Sequence, residues 1–255
     1  MSMETIAPFV WEREDIGILL RPWKQAEVRQ AEKLGWFDHA PVELQEGRLF
    51  LRGKGEPRLW TSAEYDCAAN LGWFAGEQVE LLRGEVYHKV SQNPPHVMVI
   101  YIASKRLEAA FGADFVVCQQ ATLPLLEGST PDPDIRVATG PWQKYLTRHP
   151  RREEIVLLVE VSDTTLHTDL TTKMALYAEA GILDYWALDI NSRALIIHRD
   201  PAPLPDSSGG FEYREVTTYT ETESVAPLAK PEALIRVADL LLPATLAELA
   251  IGNEE

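Results

Sequence analysis

The segment Ile155–Trp186, which reads IVLLVEVSDTTLHTDLTTKMALYAEAGILDYW, carries the clearest structural signal in the chain. It opens with an apolar run interrupted only by Glu160, and such a run is typical of a buried strand. Asp169, Lys173 and Tyr177 then recur at every fourth position, which predicts one face of a helix. A second apolar stretch completes a strand–helix–strand unit. Because an ionised carboxylate in a buried strand is costly unless it is paired or binds a metal, Glu160 is a candidate functional residue.

The composition is that of an acidic chain with an ordinary apolar content. The 255 residues include 24 basic and 39 acidic ones, for a formal net charge of −15. Proteins that bind duplex DNA usually carry a basic surface, so this balance argues against strong DNA binding without a metal. A bound metal ion would supply positive charge locally.

Other features of the sequence favour a cytoplasmic protein. Cys67 and Cys118 are the only cysteines, and they form no C-x-x-C pair, which excludes a zinc ribbon or a disulfide framework. Unpaired cysteines fit a reducing compartment. No apolar run reaches the length of a membrane span, and the first residues lack the features of a signal peptide. We therefore expect a cytoplasmic protein with no membrane partner.

The front of the chain contains an internal repeat. The first copy, Trp23–Phe50, matches the second copy, Trp60–Tyr87, at a constant offset of 37 residues (60 − 23) without a gap. Each copy predicts a short helix followed by a β-hairpin with a glycine turn. One copy would belong to the main fold, and the other would cover its edge or an oligomer interface. We predict an N-terminal extension over residues 1–58 and a main domain over residues 59–255.

The repeat also leads to an expectation about assembly. A hairpin that exposed Trp23, Trp36 or Trp60 would present a large apolar surface, and such surfaces mark contact sites. A homodimer is the expected assembly. Glu43 of the first copy matches Glu80 of the second, but Arg48 of the first copy stands where the second copy has Glu85.

Two acidic residues on neighbouring predicted strands suggest a metal site. Asp134 follows the proline-rich segment GSTPDP and enters one strand, and Glu160 lies in the next. Adjacent strands would place both carboxylates on one face, and oxygen ligands of this type suit Mg²⁺ or Mn²⁺. Lys173, one turn into the following helix, would orient an attacking water or stabilise charge on a phosphate. Simpler interpretations stay open: Asp134 as a turn residue, Glu160 as a buried ion-paired acid, and Lys173 as the helix partner of Asp169.

Three segments carry a resemblance to a known family: VELLRGEVYHKVSQNPPH at 79–96, PDPDIRV at 131–137, and LLVEVSDTTLHTDLTTKMALYAEAGILDYWALD at 157–189. They resemble the bacterial putative restriction endonuclease family, a branch of the PD-(D/E)XK nuclease superfamily. The similarity covers roughly Trp60–Arg199. It implies a restriction-endonuclease-like α/β fold, with a central mixed β-sheet flanked by helices. It also implies a Mg²⁺-dependent endonuclease that hydrolyses phosphodiester bonds of DNA.

The resemblance further implies roles for individual residues. Asp134 and Glu160 match the two metal-binding acids of the family, and the backbone carbonyl of Val161 would be a third ligand. The superfamily lysine normally lies two residues after the second acid, where this chain has a serine, and Lys173 occupies the helix position that this family uses instead. Glu85 would be a further catalytic acid that binds a second metal or a metal-bound water. Three residues match positions that would support the site: Glu80, Gln120 and His96.

Two other functions stay open at this point. A nuclease scaffold can persist without catalysis, so the chain could instead be an inactive binding or assembly module. Its acidic charge and its duplicated front end favour that alternative. Hydrolysis of RNA or of structured junctions is a weaker alternative, because the sequence shows no stacking platform for single strands.

Overall fold

The computed structural model describes residues 19–89, 92–205 and 209–244 of the chain. Residues 1–18 of the predicted N-terminal extension lie outside this part, and the domain boundary after residue 58 stays a prediction. The helices are α1 (Gln25–Lys33), α2 (Ser62–Asn70), α3 (Pro94–Phe111), α4 (Leu166–Thr168) and α5 (Met174–Glu179). The strands are β1 (Leu19–Leu20), β2 (Val42–Gln45), β3 (Arg48–Leu51), β4 (Val79–Leu82), β5 (Glu85–His88), β6 (Phe115–Gln119), β7 (Ile135–Thr139), β8 (Ile155–Ser162), β9 (Asp184–Asp189), β10 (Ala194–Pro203), β11 (Phe211–Thr220), β12 (Ser224–Val225) and β13 (Ile235–Arg236).

A six-stranded mixed sheet forms the centre of the molecule. Its strand order is β11-β10-β9-β8-β7-β6, with β8 and β9 parallel and the other neighbours antiparallel. Successive side chains of a strand point to opposite faces, so each face carries its own core. Leu157 and Val159 pack with Leu107 of α3 on one face, while Leu158 packs with Tyr177 of α5 on the other. The predicted α/β class, with a central mixed sheet flanked by helices, is confirmed.

The connection between β8 and β9 positions the candidate site. Parallel neighbours need a crossover connection, and here it consists of α4, a π-helical turn over Asp169–Lys173, and α5. The sequence had predicted one uninterrupted helix over this stretch. A π-helical turn holds an additional residue compared with an α-helical one, and such turns are frequent at functional sites. Tyr177 is fully buried, which fixes the rotation of the helix against the sheet.

Strand register explains why two of the candidate acids face each other. Ile135 of β7 lies opposite Val159 of β8 in an antiparallel pair, so one further step brings Asp134 opposite Glu160. Residues directly opposite in an antiparallel pair share a face of the sheet. That face is the one covered by α5, because Leu158, two positions before Glu160, belongs to the α5 core.

Each repeat copy forms a helix followed by a hairpin: α1, β2 and β3 in the first copy, and α2, β4 and β5 in the second. The copies share one core that contains Trp23 and Trp60, which are 7% and 5% exposed. Trp36 is half-buried against Trp60 and Trp73. The expectation of an exposed tryptophan surface is wrong, because the copies bury these rings against each other.

The predicted homodimer therefore loses its structural argument and stays a prediction. A duplication event behind the two copies also stays a prediction. In the described part of the chain, no helix combines the length and the apolar character that crossing a bilayer requires.

Candidate active site

A pocket of about 170 Å³ lies where β8 ends and the helical crossover begins. Six carboxylates and two lysines line it, so it carries an excess of negative charge. Five of the predicted site residues meet there: Glu80, His96, Asp134, Glu160 and Lys173. The other lining residues are Lys89, Gln92, Asn93, Asp132, Asp163, Thr164, Thr165 and Asp169.

Lys173 is the buried cation at the centre of this cluster. Its Nζ donates a hydrogen bond to Glu160 Oε1 at 3.0 Å and lies 3.8 Å from a carboxylate oxygen of both Glu80 and Asp169. Burial alone would lower the pKa of Lys173, but the surrounding negative charges outweigh this effect and hold the pKa well above its ordinary value. The amine is therefore a permanent positive charge and does not act as a proton-accepting base.

Glu160 responds to the same surroundings in the opposite way. Its Oε1 also accepts a hydrogen bond from Tyr177 Oη at 2.6 Å, and the side chain is 2% exposed. Burial raises the pKa of Glu160 to about 8, although the charge of Lys173 opposes this shift. A metal ion that binds this carboxyl group would have to compete with a proton for it.

Asp134 lies one residue before β7, and its carboxylate faces the end of β8. Its Oδ2 accepts a hydrogen bond from the Val161 N–H at 2.8 Å, and its own N–H lies 3.4 Å from Glu160 Oε2. Burial alone would raise the pKa of Asp134, but the neighbouring His96, the charge of Lys173 and the Val161 amide lower it below its ordinary value. The site thus shifts the pKa values of its two acids in opposite directions.

His96, in the first turn of α3, completes the wall beside Asp134. The backbone N–H of His96 donates to the side chain of Asn93, which caps α3. Its Nε2 lies 3.6 Å from Asp134 Oδ2. This buried nitrogen has no hydrogen-bond partner among the described residues, so it is available to a group that enters the pocket.

Asp169 is a site residue that the sequence indicated only as a helix neighbour of Lys173. Its Oδ2 accepts hydrogen bonds from Ser162 Oγ at 2.8 Å and from Thr165 Oγ1 at 2.7 Å. Ser162 stands two residues after Glu160, where the superfamily pattern has lysine, and here it supports the helical amine through Asp169. The four-residue spacing of Asp169 and Lys173 could have indicated that Asp169 belongs to the site, but the same spacing is found in ordinary helix ion pairs.

Asp132 and Lys89 at the mouth of the pocket were also missed. Lys89 Nζ lies 3.8 Å from Asp132 Oδ2, and the Asp132 N–H donates to Glu80 Oε2 at 3.3 Å. Burial raises the pKa of Asp132. The sequence did contain a signal for this residue, because alternate residues of an extended segment lie on the same side and Asp132 precedes Asp134 by two.

Glu85 does not reach the pocket, contrary to its predicted catalytic role. It lies beside the turn of the second hairpin, where it forms an ion pair with Arg48 and accepts a hydrogen bond from Tyr87 Oη at 2.8 Å. Glu80, on the neighbouring strand of the same hairpin, reaches the pocket instead and is 1% exposed.

Two further predicted contacts differ in the structure. Gln120 lies just beyond β6 with an exposed side chain and a left-handed backbone, with φ of 45°. Only its backbone N–H approaches the site, at 3.0 Å from the carbonyl of Asp134. Val161 contacts Asp134 through its N–H, and its carbonyl as a metal ligand stays a prediction.

The pocket has the donor chemistry that a hard divalent cation requires. Within residues 19–89, 92–205 and 209–244, no three acidic, histidine or cysteine groups surround one point as a complete ligand set. Mg²⁺ does not need such a set, since it usually keeps several waters and binds one or two carboxylates together with substrate phosphates. Asp134 and Glu160 offer such oxygens, and His96 Nε2 lies 3.6 Å from Asp134 Oδ2.

Comparison with known proteins places the chain in a family. A family model, Uma2, described as Putative restriction endonuclease, matches residues 65–237. The search of curated proteins gave no match. Among solved structures, the crystal structure of a putative nuclease belonging to DUF820 from Anabaena variabilis ATCC 29413 is 15% identical, with 64% of this chain and 88% of that chain covered and a TM-score of 0.49. The family match spans the whole pocket and confirms the resemblance seen in the sequence, so this chain belongs to the Uma2 putative restriction endonuclease family.

Proposed function

We propose that this protein is a metal-dependent endonuclease that hydrolyses phosphodiester bonds of DNA. Membership of a restriction endonuclease family supports a nuclease. The observation that carries the proposal is that Asp134, Glu160 and Lys173 lie in one pocket. The two acids offer oxygen ligands for a metal, and the lysine supplies a permanent positive charge. The net charge of the chain is −15, and a bound metal ion would offset the repulsion between the acidic pocket and a phosphate.

The two acids would hold Mg²⁺ or Mn²⁺. When bound, the metal would lower the pKa of a water molecule and polarise the scissile phosphate. Asp134 is already ionised and is oriented by the Val161 N–H. Glu160 would act as a ligand in its ionised form, with its proton released to solvent, and the hydroxyl of Tyr177 fixes the orientation of its carboxyl group.

The lysines act on the substrate side of the pocket. Lys173 keeps its charge beside both acids and would stabilise the negative charge that develops on the phosphate, or orient the attacking water. Its position depends on Asp169, which Ser162 and Thr165 hold in place. Lys89 at the pocket mouth is a second cation within reach of the nucleic-acid backbone.

Cleavage of supercoiled plasmid tests the proposal. We expect the wild-type protein to nick plasmid with Mg²⁺ or Mn²⁺ and to stop when EDTA is added. Asp134→Ala and Lys173→Ala should each lose activity by at least about 100-fold, because removal of a preorganised charge from a site costs about 10²–10³-fold in rate. Glu80→Gln should also lose activity, whereas Glu43→Gln should not.

Glu43 is the matched control because it holds the position in the first copy that Glu80 holds in the second, outside the pocket. Equal background cleavage by all five proteins would refute the proposal. Single-stranded DNA and RNA tested in parallel decide the substrate. Binding of Mn²⁺ by calorimetry without cleavage of any substrate would favour the inactive binding module.

Asp169→Asn tests the support of the lysine. The asparagine keeps the size of the side chain but removes the charge that faces Lys173 at 3.8 Å. We expect the cleavage rate to fall by about 10- to 100-fold, the usual effect of losing an outer partner of a metal site. Affinity for Mn²⁺, measured by calorimetry, should change less than the rate. A rate equal to that of the wild type would show that Asp169 only stabilises the fold.

A further inference from the structure

The two repeat copies contact each other through equivalent positions. Trp23 stacks on Trp60 with ring centroids 4.2 Å apart, and Trp36 lies against Trp73 at 5.3 Å. Both pairs join positions 37 residues apart (60 − 23 and 73 − 36), which are the same position in the two copies. Contacts between equivalent positions arise when two units are related by a two-fold axis that passes between them.

Several contacts away from these pairs are reciprocal. They involve an arginine two residues before each copy, which reaches across to the other copy through its side chain and its backbone. The guanidinium of Arg21 lies over the Phe74 ring at 4.8 Å, and that of Arg58 lies over the Phe37 ring at 5.3 Å. The backbone N–H of Arg21 donates to the Val86 carbonyl at 2.7 Å, and that of Arg58 donates to the Leu49 carbonyl at 2.8 Å. In a self-complementary two-fold interface every such contact occurs twice, because a residue of the first unit contacts the second unit in the same way as its equivalent in the second unit contacts the first.

The short segments that precede each copy also make reciprocal contacts. Leu20 pairs with Tyr87 on the second hairpin, and Pro57 pairs with Phe50 on the first. The segment before the first copy thus adds strand β1 to the second hairpin, and the segment before the second copy forms a single bridge to the first hairpin. The packing of the copies is that of a dimer formed within one chain.

One equivalent pair joins residues of opposite charge in a direct contact. Arg48 in the first copy and Glu85 in the second (85 − 48 = 37) form an ion pair between β3 and β5. Pairing of two identical copies would place glutamate against glutamate or arginine against arginine, and like charges directly opposite each other are destabilising. Only the mixed pair of copies brings opposite charges together.

We propose that the first copy is a built-in partner of the second, and that the Arg48–Glu85 pair specifies this mixed pairing against pairing between identical copies of two chains. Specificity of this kind combines attraction to the correct partner with repulsion of the wrong one. The apolar face of the second copy, which a second subunit could otherwise occupy, is covered from within the chain. This role accounts for the position of Glu85 outside the pocket and does not rest on nuclease activity.

A charge-reversal cycle in the full-length protein tests the proposal. Arg48→Glu reproduces within one chain the charge arrangement of two paired second copies, and Glu85→Arg reproduces that of two first copies. We expect each single variant to lower Tm by about 2–4 °C, and the double variant to return to within about 1 °C of the wild type. Thermal unfolding followed by circular dichroism measures these shifts.

Arg148→Glu is the matched control. It breaks the Arg148–Glu154 pair, whose arginine side chain is 37% exposed, against 38% for Arg48. We expect little change in its Tm and no red shift of tryptophan emission, whereas Arg48→Glu should shift the emission because the interface contains four indole rings.

A double variant whose Tm equals the sum of the two single losses would overturn the proposal, as would equal effects of Arg48→Glu and Arg148→Glu. If a reversed single variant does not fold, the neutral cycle of Arg48→Gln and Glu85→Gln answers the same question. Coupling between the two neutral substitutions supports the proposal, and additivity contradicts it.

Discussion

Lys173→Met is expected to lower the free energy of unfolding of the metal-free protein by about 3–5 kcal/mol, the usual cost of leaving buried charges without their partner. Methionine keeps the length of the side chain but removes the cation that Glu160, Glu80 and Asp169 contact at 3.0, 3.8 and 3.8 Å. Urea unfolding at pH 8 without divalent cations measures the difference. The loss should be smaller at pH 5, which lies well below the pKa of about 8 of Glu160 in the folded protein, because the protonated carboxyl group needs no charged partner.

Lys89→Met provides the control at the mouth of the same pocket. Among the residues that the structure describes, the ion-pair partner of Lys89 is Asp132, and the lysine side chain is 17% exposed, so its loss should cost about 1 kcal/mol or less. Saturating Mn²⁺ should restore part of the stability of Lys173→Met, because a ligand that binds only the native state stabilises it. A Lys173→Met variant within about 1 kcal/mol of the wild type at pH 8 would show that the acids do not depend on the amine.

Glu160→Gln is expected to change how stability depends on pH. The carboxyl group has an ordinary pKa of 4.5 and a pKa of about 8 in the folded protein. Between these values the native state holds a proton that the unfolded chain releases, so stability falls as pH rises from 4.5 to 8 and levels off above that range. Glutamine cannot titrate, so the variant should lose less stability over this interval.

The difference between the two proteins should grow by roughly 3 kcal/mol between pH 5 and pH 8. Asp132 and Asp169 also have raised pKa values, but both proteins retain them, so the comparison isolates Glu160. Urea unfolding at several pH values without divalent cations is the measurement, with Glu43→Gln as the control for an acid outside the pocket. Parallel stability curves for wild type and Glu160→Gln would contradict the raised pKa.

The parts of the site that depend on local sequence were predictable. Glu160 stood out because it interrupts an apolar strand, and Lys173 because it lies on the helix that follows. Asp134 needed more than local pattern, since its place opposite Glu160 depends on the pairing of β7 with β8. The resemblance to the family supplied that relation, together with the fold.

The choice between Glu80 and Glu85 could not be made from the sequence. Both lie in one hairpin, and which of them reaches the pocket depends on how that hairpin docks. Docking is set by distant backbone contacts, in which Thr130 N–H donates to the Leu81 carbonyl at 2.8 Å and Gly84 N–H donates to the Gly128 carbonyl at 2.7 Å. The burial of Trp23 was hidden for the same reason, because its partner is the other copy.

Because of the π-helical turn, the alignment of Asp169 with Lys173 depends on the number of residues between Thr168 and α5. In an α-helix, each inserted or deleted residue rotates the side chains beyond it by about 100°. Deleting Leu170 or Thr171 would return the turn to ordinary α-helical phase and leave α5 anchored by Tyr177. Asp169 would then stand three residues before Lys173 instead of four, which changes the angle between the two side chains about the helix axis and disturbs their present 3.8 Å contact. A protein shortened by a single residue could thus stay folded while its reactive groups fall out of alignment.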